Sequence, residues 1–187
     1  MNGIRAAVFL TLLGAGAAEH ALAQQNVLSV GASNARRCME AAFAGSTARA
    51  AVEWCNQALS QEPLRPADRA GTLVNRGVLL MNRREYTAAE ADFEAAVALR
   101  PESGDALFNR GTVRVAQGRA REGVEDISRS LELGLREREK GFYNRAVARE
   151  ALSDLAGARL DYLEAARLKP DWPLPRRELA RFSVARR

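Results

Sequence analysis

The chain is short of the residues on which most catalysis and metal binding rest. Of its 187 residues one is histidine, His20, two are cysteine, Cys38 and Cys55, and aromatics make up only 6%. A general base working near neutral pH is most often histidine, and a single copy excludes a multi-histidine metal site. No glycine-rich phosphate loop and no metal-ligand spacing is present. An enzyme is therefore not expected, nor a cofactor, nor a metal. Past the N-terminus no stretch approaches the roughly 20 apolar residues a bilayer requires, so no transmembrane segment is expected. Lysine is also scarce: Lys140 and Lys169 are the only two among 28 basic residues, set against 23 acidic ones, for a net charge of +5.

The first residues have a layout of their own. Arg5 supplies a positive charge, residues 6–18 form an apolar run, and Ala21, Leu22 and Ala23 place small residues about a cleavage point. That is the pattern of a secretory signal peptide. The expected division is a signal at 1–23, cleaved after Ala23, and a flexible mature N-terminus at 24–31. Thirteen apolar residues are too few for an anchor, and no cysteine follows to accept a lipid. The protein is expected to be exported, to the periplasm of a bacterial cell. His20 would leave with the signal. An exported chain rarely meets nucleic acid, so none is expected as a partner despite the basic balance.

What the sequence has in abundance is repetition. NRG at 75–77, NRG at 109–111 and NRA at 144–146 are spaced 34 and then 35 residues apart. Related phrases follow each of them at 88–96, 122–130 and 157–165. A fixed period of this length marks stacked units, each burying its apolar face against its neighbours. The units run 70–103, 104–138 and 139–172, and each holds two helices. Gly77, Gly111 and Ala146 on the first helix face Ala89, Gly123 and Ala158 on the second, so that the backbones approach. Phe93, Ile127 and Tyr162 fill the space between them, and Ala96, Ser130 and Ala165 admit the next unit. Pro101 and Pro170 block continuation of the second helix, and Gly134 is the corresponding stop in the unit between.

The phrase pattern resembles the tetratricopeptide repeat (TPR) family, most closely at Leu73, Asn75, Gly77, Tyr86, Ala89, Phe93, Ala96, Leu99 and Pro101. The resemblance implies an all-α fold, a right-handed superhelical solenoid of antiparallel helix hairpins with about four units and a C-terminal capping helix. A degenerate first unit fits 32–69, in which Ala51, Ala58, Leu59 and Pro63 match the offsets and Cys55 stands where Phe93 stands later. Its spacing leaves four extra residues, assigned to a longer connection at Pro66 to Arg69. Cys38 and Cys55 lie in register on the two helices of this unit. An even count in an oxidising compartment favours a disulfide between them, the alternative being two buried thiols. Residues 173–187 form a basic cap and tail, with a last helix expected from Pro175 to Ala185 carrying Arg176, Arg177 and Arg181.

Departures from the family pattern include Arg76, Arg110 and Arg145, where leucine is common. Sixteen residues after each stands Asp92, Asp126 or Asp161, and the pairs are expected to bridge the hairpins. The resemblance also implies that the first helices line a concave groove. Its candidate residues are Val74, Asn75, Val78, Met81 and Asn82, then Phe108, Asn109 and Thr112, then Tyr143, Asn144 and Val147. Asn75, Asn109 and Asn144 either present a ladder of amides to an extended peptide backbone or serve only local hydrogen bonds. Val74, Phe108 and Tyr143 occupy positions where carboxylate-clamping relatives carry cations, so such a clamp is not expected. The function expected is a non-catalytic, monomeric scaffold or adaptor of the cell envelope that holds a protein or peptide partner in the groove. The alternative is a structural subunit whose groove is permanently filled by a partner chain or by residues 24–31.

Overall fold

The computed structural model describes residues 33–184, all of whose regular elements are helices. The expected signal peptide, the mature N-terminus at 24–31 and the last three residues lie outside the described residues. In chain order the helices are α1 (Asn34–Phe43), α2 (Arg49–Gln61), α3 (Pro66–Asn82), α4 (Tyr86–Leu99), α5 (Gly104–Ala116), α6 (Ala120–Glu132), α7 (Arg138–Ala151), α8 (Leu155–Leu168) and α9 (Pro173–Val184). They pair as α1/α2, α3/α4, α5/α6 and α7/α8, and α9 closes the array against α8.

Two boundaries differ from the sequence expectation. Residues Pro66 to Arg69 do not lengthen a connection; they form an extra first turn of α3. Proline at the first helical position lacks only an N–H that would have no partner there, and Asp68 in that turn complements the helix dipole. For the same reason α9 opens at Pro173 rather than Pro175.

The turn inside every hairpin has one geometry. The residue two past the helix end is left-handed, at Gly45 (φ 66°), Arg84 (63°), Gly118 (83°) and Ser153 (63°). The next amide then reaches back five residues, as in Glu85 N–H to the Leu80 carbonyl at 2.9 Å and Asp154 N–H to the Arg149 carbonyl at 2.9 Å. This Schellman closure satisfies carbonyls that the ending helix would leave bare. Between hairpins α3/α4 and α5/α6, and again after α8, a residue before proline is extended instead: Arg100 (ψ 82°) and Lys169 (ψ 82°). The unit between them lacks proline and closes through Gly134 at φ 80°.

Packing inside the hairpins follows the small residues. Phe93, Ile127 and Tyr162 are almost wholly buried. A Cβ added at Gly77 would lie 2.5 Å from the Phe93 ring. The α5/α6 hairpin is tightest: Gly111 and Gly123 face each other, and a Cβ at Gly123 would meet the Gly111 carbonyl oxygen at 2.9 Å and Val115 at 2.4 Å. Successive first helices (α1, α3, α5, α7) touch one another, while no comparable contact joins successive second helices among the described residues. Closer spacing on one side bends the stack, which puts the first helices on the inner wall.

Cys38 and Cys55 form a disulfide with Cα atoms 4.9 Å apart. Both sulfurs are buried with Ala42, Ala51 and Leu79, so the bond ties α1 and α2 at the point where the hairpin meets α3.

Two outcomes follow from this packing. Reducing the disulfide, or replacing both cysteines with serine, should lower unfolding free energy by about 3 kcal/mol for a loop of this length, with the loss of amide protection concentrated in α1 and α2. Gly123→Ala should destabilise by about 1–3 kcal/mol in urea, although alanine favours a helix by about 1 kcal/mol, because backbone cannot yield to the new methyl.

Candidate functional site

The inner wall is built from one face of α3, α5 and α7, and the structure treats its candidate residues unequally. Val147 is 38% exposed and Asn82 is exposed. Val74, Val78 and Met81 are half-buried, resting on the core around Leu80, Phe93 and Val113. Phe108 is half-buried against Ile127, Leu131 and Leu135. Tyr143 is drawn toward the end of the array: its ring lies 5.4 Å from Tyr162 and 4.9 Å from Trp172. Burial raises its phenol above the usual range. It is thus a wall shared between the groove and the cap, and sequence reasoning did not anticipate Trp172 as its partner.

The asparagines are partly committed. Asn109 donates from Nδ2 to the Asp105 carbonyl at 2.8 Å. Asn144 donates from Nδ2 to Thr112 Oγ1 at 3.0 Å, joining α7 to α5 across the inner wall, and Thr112 in turn donates to the Phe108 carbonyl at 2.8 Å. Asn75 makes no hydrogen bond to another described residue. The amide oxygens of Asn109 and Asn144 accept none from the described residues. All three side chains are half-buried. One N–H of each committed amide therefore fixes its orientation, and the carbonyl end is left to accept.

Behind the groove the three expected arginine–aspartate pairs are present, each with two parallel bonds. Arg76 donates to Asp92 at 2.8 and 2.6 Å, Arg110 to Asp126 at 2.8 and 2.7 Å, and Arg145 to Asp161 at 2.8 and 2.8 Å. The aspartate side chains are only 7, 9 and 5% exposed. Hydrogen bonds to the aspartates push the Arg76 and Arg110 guanidinium groups further up, against the opposing effect of burial. These are not surface pairs worth a fraction of a kcal/mol. Removing one partner would strand a buried charge at a cost of about 3–5 kcal/mol. Two of the three arginines also reach back to the preceding unit: Arg76 to Asn56 at 2.8 Å, Arg145 to Ser128 at 3.1 Å.

A second tier of arginines, one turn further on, went unread in the sequence. Arg114 bonds Glu90 at 3.0 Å, Asp126 at 2.9 Å and Glu94 at 3.2 Å; Arg149 bonds Asp161 at 2.9 Å. The signal was available, since each follows Arg110 or Arg145 by four residues at the repeat period. Arg119 also bonds Glu90. Its hydrogen bond first, and that of Arg114 after the opposing effect of burial, hold the Glu90 carboxyl down at about 2. At the far end Tyr162 Oη donates to Glu150 at 2.5 Å, and burial followed by this bond pushes the phenol well up. Among the described residues no group of histidine, cysteine or acidic side chains is placed to hold a metal, and no helix is long and apolar enough to cross a membrane.

With this geometry in view, the chain can be set beside known proteins. Residues 70–103 match the family described as Tetratricopeptide repeat. No curated protein matches the sequence. Among solved structures, the first TPR of Spaghetti (RPAP3) bound to the HSP90 peptide SRMEEVD is 23% identical with a TM-score of 0.60, over 64% of this chain and 94% of that one. MamA 41-end from Desulfovibrio magneticus RS-1 is 17% identical with a TM-score of 0.66, over 80% of this chain and 81% of that one. The second TPR domain of human RPAP3, in complex with the HSP70 peptide SGPTIEEVD, is 21% identical with a TM-score of 0.59, over 64% of this chain and 98% of that one. The class is plain: an all-α solenoid of tetratricopeptide-type hairpins, with a repeat of that family at 70–103.

The Glu90 shift predicts an acid limb of known sign. A carboxylate whose folded pKa lies below its unfolded value near 4.3 adds stability that is full above that value and is lost as pH falls toward 2. Glu90→Gln should therefore unfold more easily at pH 7 by about 2 kcal/mol, and its deficit against wild type should close as chemical denaturation is repeated from pH 4.5 down to 2.

Proposed function

We propose that the protein is an exported, monomeric adaptor that holds a segment of a protein partner along the inner wall, with no catalysis of its own. The observation that carries this reading is the row of half-buried amides, Asn75, Asn109 and Asn144, at one position of three successive first helices, with the oxygens of Asn109 and Asn144 accepting no hydrogen bond from the described residues. Such a row offers regularly spaced acceptors to peptide N–H groups, and Val78, Val147 and Phe108 offer apolar contact to alternate side chains. Two structural neighbours are described with bound chaperone peptides, which supports peptide holding by this architecture. The peptide held here differs in chemistry. Val74, Phe108 and Tyr143 provide no cation for a terminal carboxylate, so the bound segment is internal and apolar rather than an acidic tail.

Export to the envelope is supported by the signal-like layout at 1–23 and by the disulfide, a bond that persists in oxidising compartments. Intact-mass measurement of the native protein checks this: a chain beginning at Gln24 with no free thiol is the expected result, and an intact Met1 overturns it.

The groove is tested by site-specific photo-crosslinking in cells. A photoreactive residue at Val147 or Asn82 should give one discrete adduct, and the same residue at Ala98 on α4 should not. Asn109→Ala with Asn144→Ala should weaken the captured partner by about 10-fold, the worth of one to two neutral hydrogen bonds. Equal adducts from Ala98, or undiminished binding by the double variant, would refute the groove.

A further inference from the structure

One junction between hairpins is filled by an arginine, and the junction before it lacks that part. Where α5 meets α4, the Arg114 guanidinium plugs the junction, held by Glu90, Glu94 and Asp126. One unit on, Arg149 turns instead into its own hairpin, donating to Asp161 and the Gly157 carbonyl of α8 at 2.9 and 3.2 Å. Where α3 meets α2, the matching residue is Leu80, 34 positions before Arg114, and its side chain turns into the core beside Phe93. A cavity of about 340 Å³ is left there, lined by Val52, Glu53, Asn56, Leu80, Arg83 and Glu85 together with Arg49. None of these residues belongs to the groove candidates.

What surrounds the cavity is one guanidinium short. Among the described residues Asp126 and Asp161 each accept from two arginines, whereas Asp92, equally buried, accepts from Arg76 alone. Asn56 stands where Glu94 stands at the next junction, and its Oδ1 already accepts from Arg76 at 2.8 Å. Among the described residues Glu53 has only long bonds from neutral amides, Asn56 at 3.3 Å and Gln57 at 3.4 Å. Of the two cations nearby, Arg83 is spent on Glu85 at 2.6 Å and the Thr47 carbonyl at 3.0 Å, and Arg49 is exposed to solvent.

We propose that the α2/α3 junction is a second binding site, for an arginine side chain supplied by a protein partner, which completes the junction as Arg114 completes the next. The guanidinium would pair with Glu53 and share Asn56 with Arg76, and its methylenes would lie on Val52 and Leu80. Arginine fits this geometry better than lysine, because a planar fork can reach separate acceptors at once. The site gives the protein a point of recognition outside the groove, and its failure would leave the groove reading untouched.

The test is an amide chemical-shift titration of the full-length protein with N-acetyl-arginine amide, against the citrulline and lysine amides. Saturable shifts at Glu53, Asn56 and Leu80 are expected, with the arginine probe at least about 5-fold tighter than the neutral citrulline probe. Leu80→Arg, which installs the missing plug, should abolish them. Asn56→Glu, which copies Glu94 and keeps an acceptor for Arg76, should tighten arginine by about 5-fold. Absence of shifts, equal affinity for citrulline, or no gain in Asn56→Glu would each overturn the proposal.

Discussion

Three buried forks, Arg76–Asp92, Arg110–Asp126 and Arg145–Asp161, set the geometry on which the rest of the array depends. Each joins the first helix of a hairpin to its second through two bonds, and the arginine's remaining donor extends to a neighbouring element in two of the three. A leucine in the same place would fill volume but would leave the rotation of one helix about the other loosely set. A planar fork does not slide, because both bonds fail together when the register shifts. The aspartates are buried deeply enough that a mismatched register would strand a charge. Specificity for one hairpin geometry is what such a pair supplies in place of apolar area.

The register fixed by the forks then decides how close the hairpins can come. Glycine pairs with glycine in α5/α6, glycine with alanine in α3/α4, alanine with alanine in α7/α8. The bulky fillers Phe93, Ile127 and Tyr162 occupy the space that these small residues leave. Ser130 shows the tolerance of the plan: it is wholly buried where the other units have alanine, and its hydroxyl finds no partner among the described residues. The inner wall is a product of this stacking, since the first helices crowd together on one side.

The two ends are finished by different chemistry. At the start a short, weakly apolar hairpin is held by the Cys38–Cys55 bond. At the finish, Tyr143, Tyr162, Trp172 and Phe182 form a chain of ring contacts beneath α9, and Arg181 ties that helix to Glu150 at 3.3 Å. An array with open ends exposes apolar surface, and each end answers that requirement with the residues at hand.

The sequence by itself determined the hairpins, their period, the facing small residues and the arginine–aspartate pairs, because each is a local or fixed-offset relation repeated three times. Repetition turns a weak pattern into a strong one. It also determined which residues are available to the inner wall. Tertiary structure alone decided the fate of individual members: Tyr143 became part of the cap, Asn144 spent a donor on Thr112, and Pro66 opened a helix rather than extending a loop. The Arg114 cluster and the unplugged cavity at α2/α3 belong to the same category. They arise between units, where one altered residue such as Leu80 changes a contact with a side chain more than twenty positions away, and no single repeat contains that information.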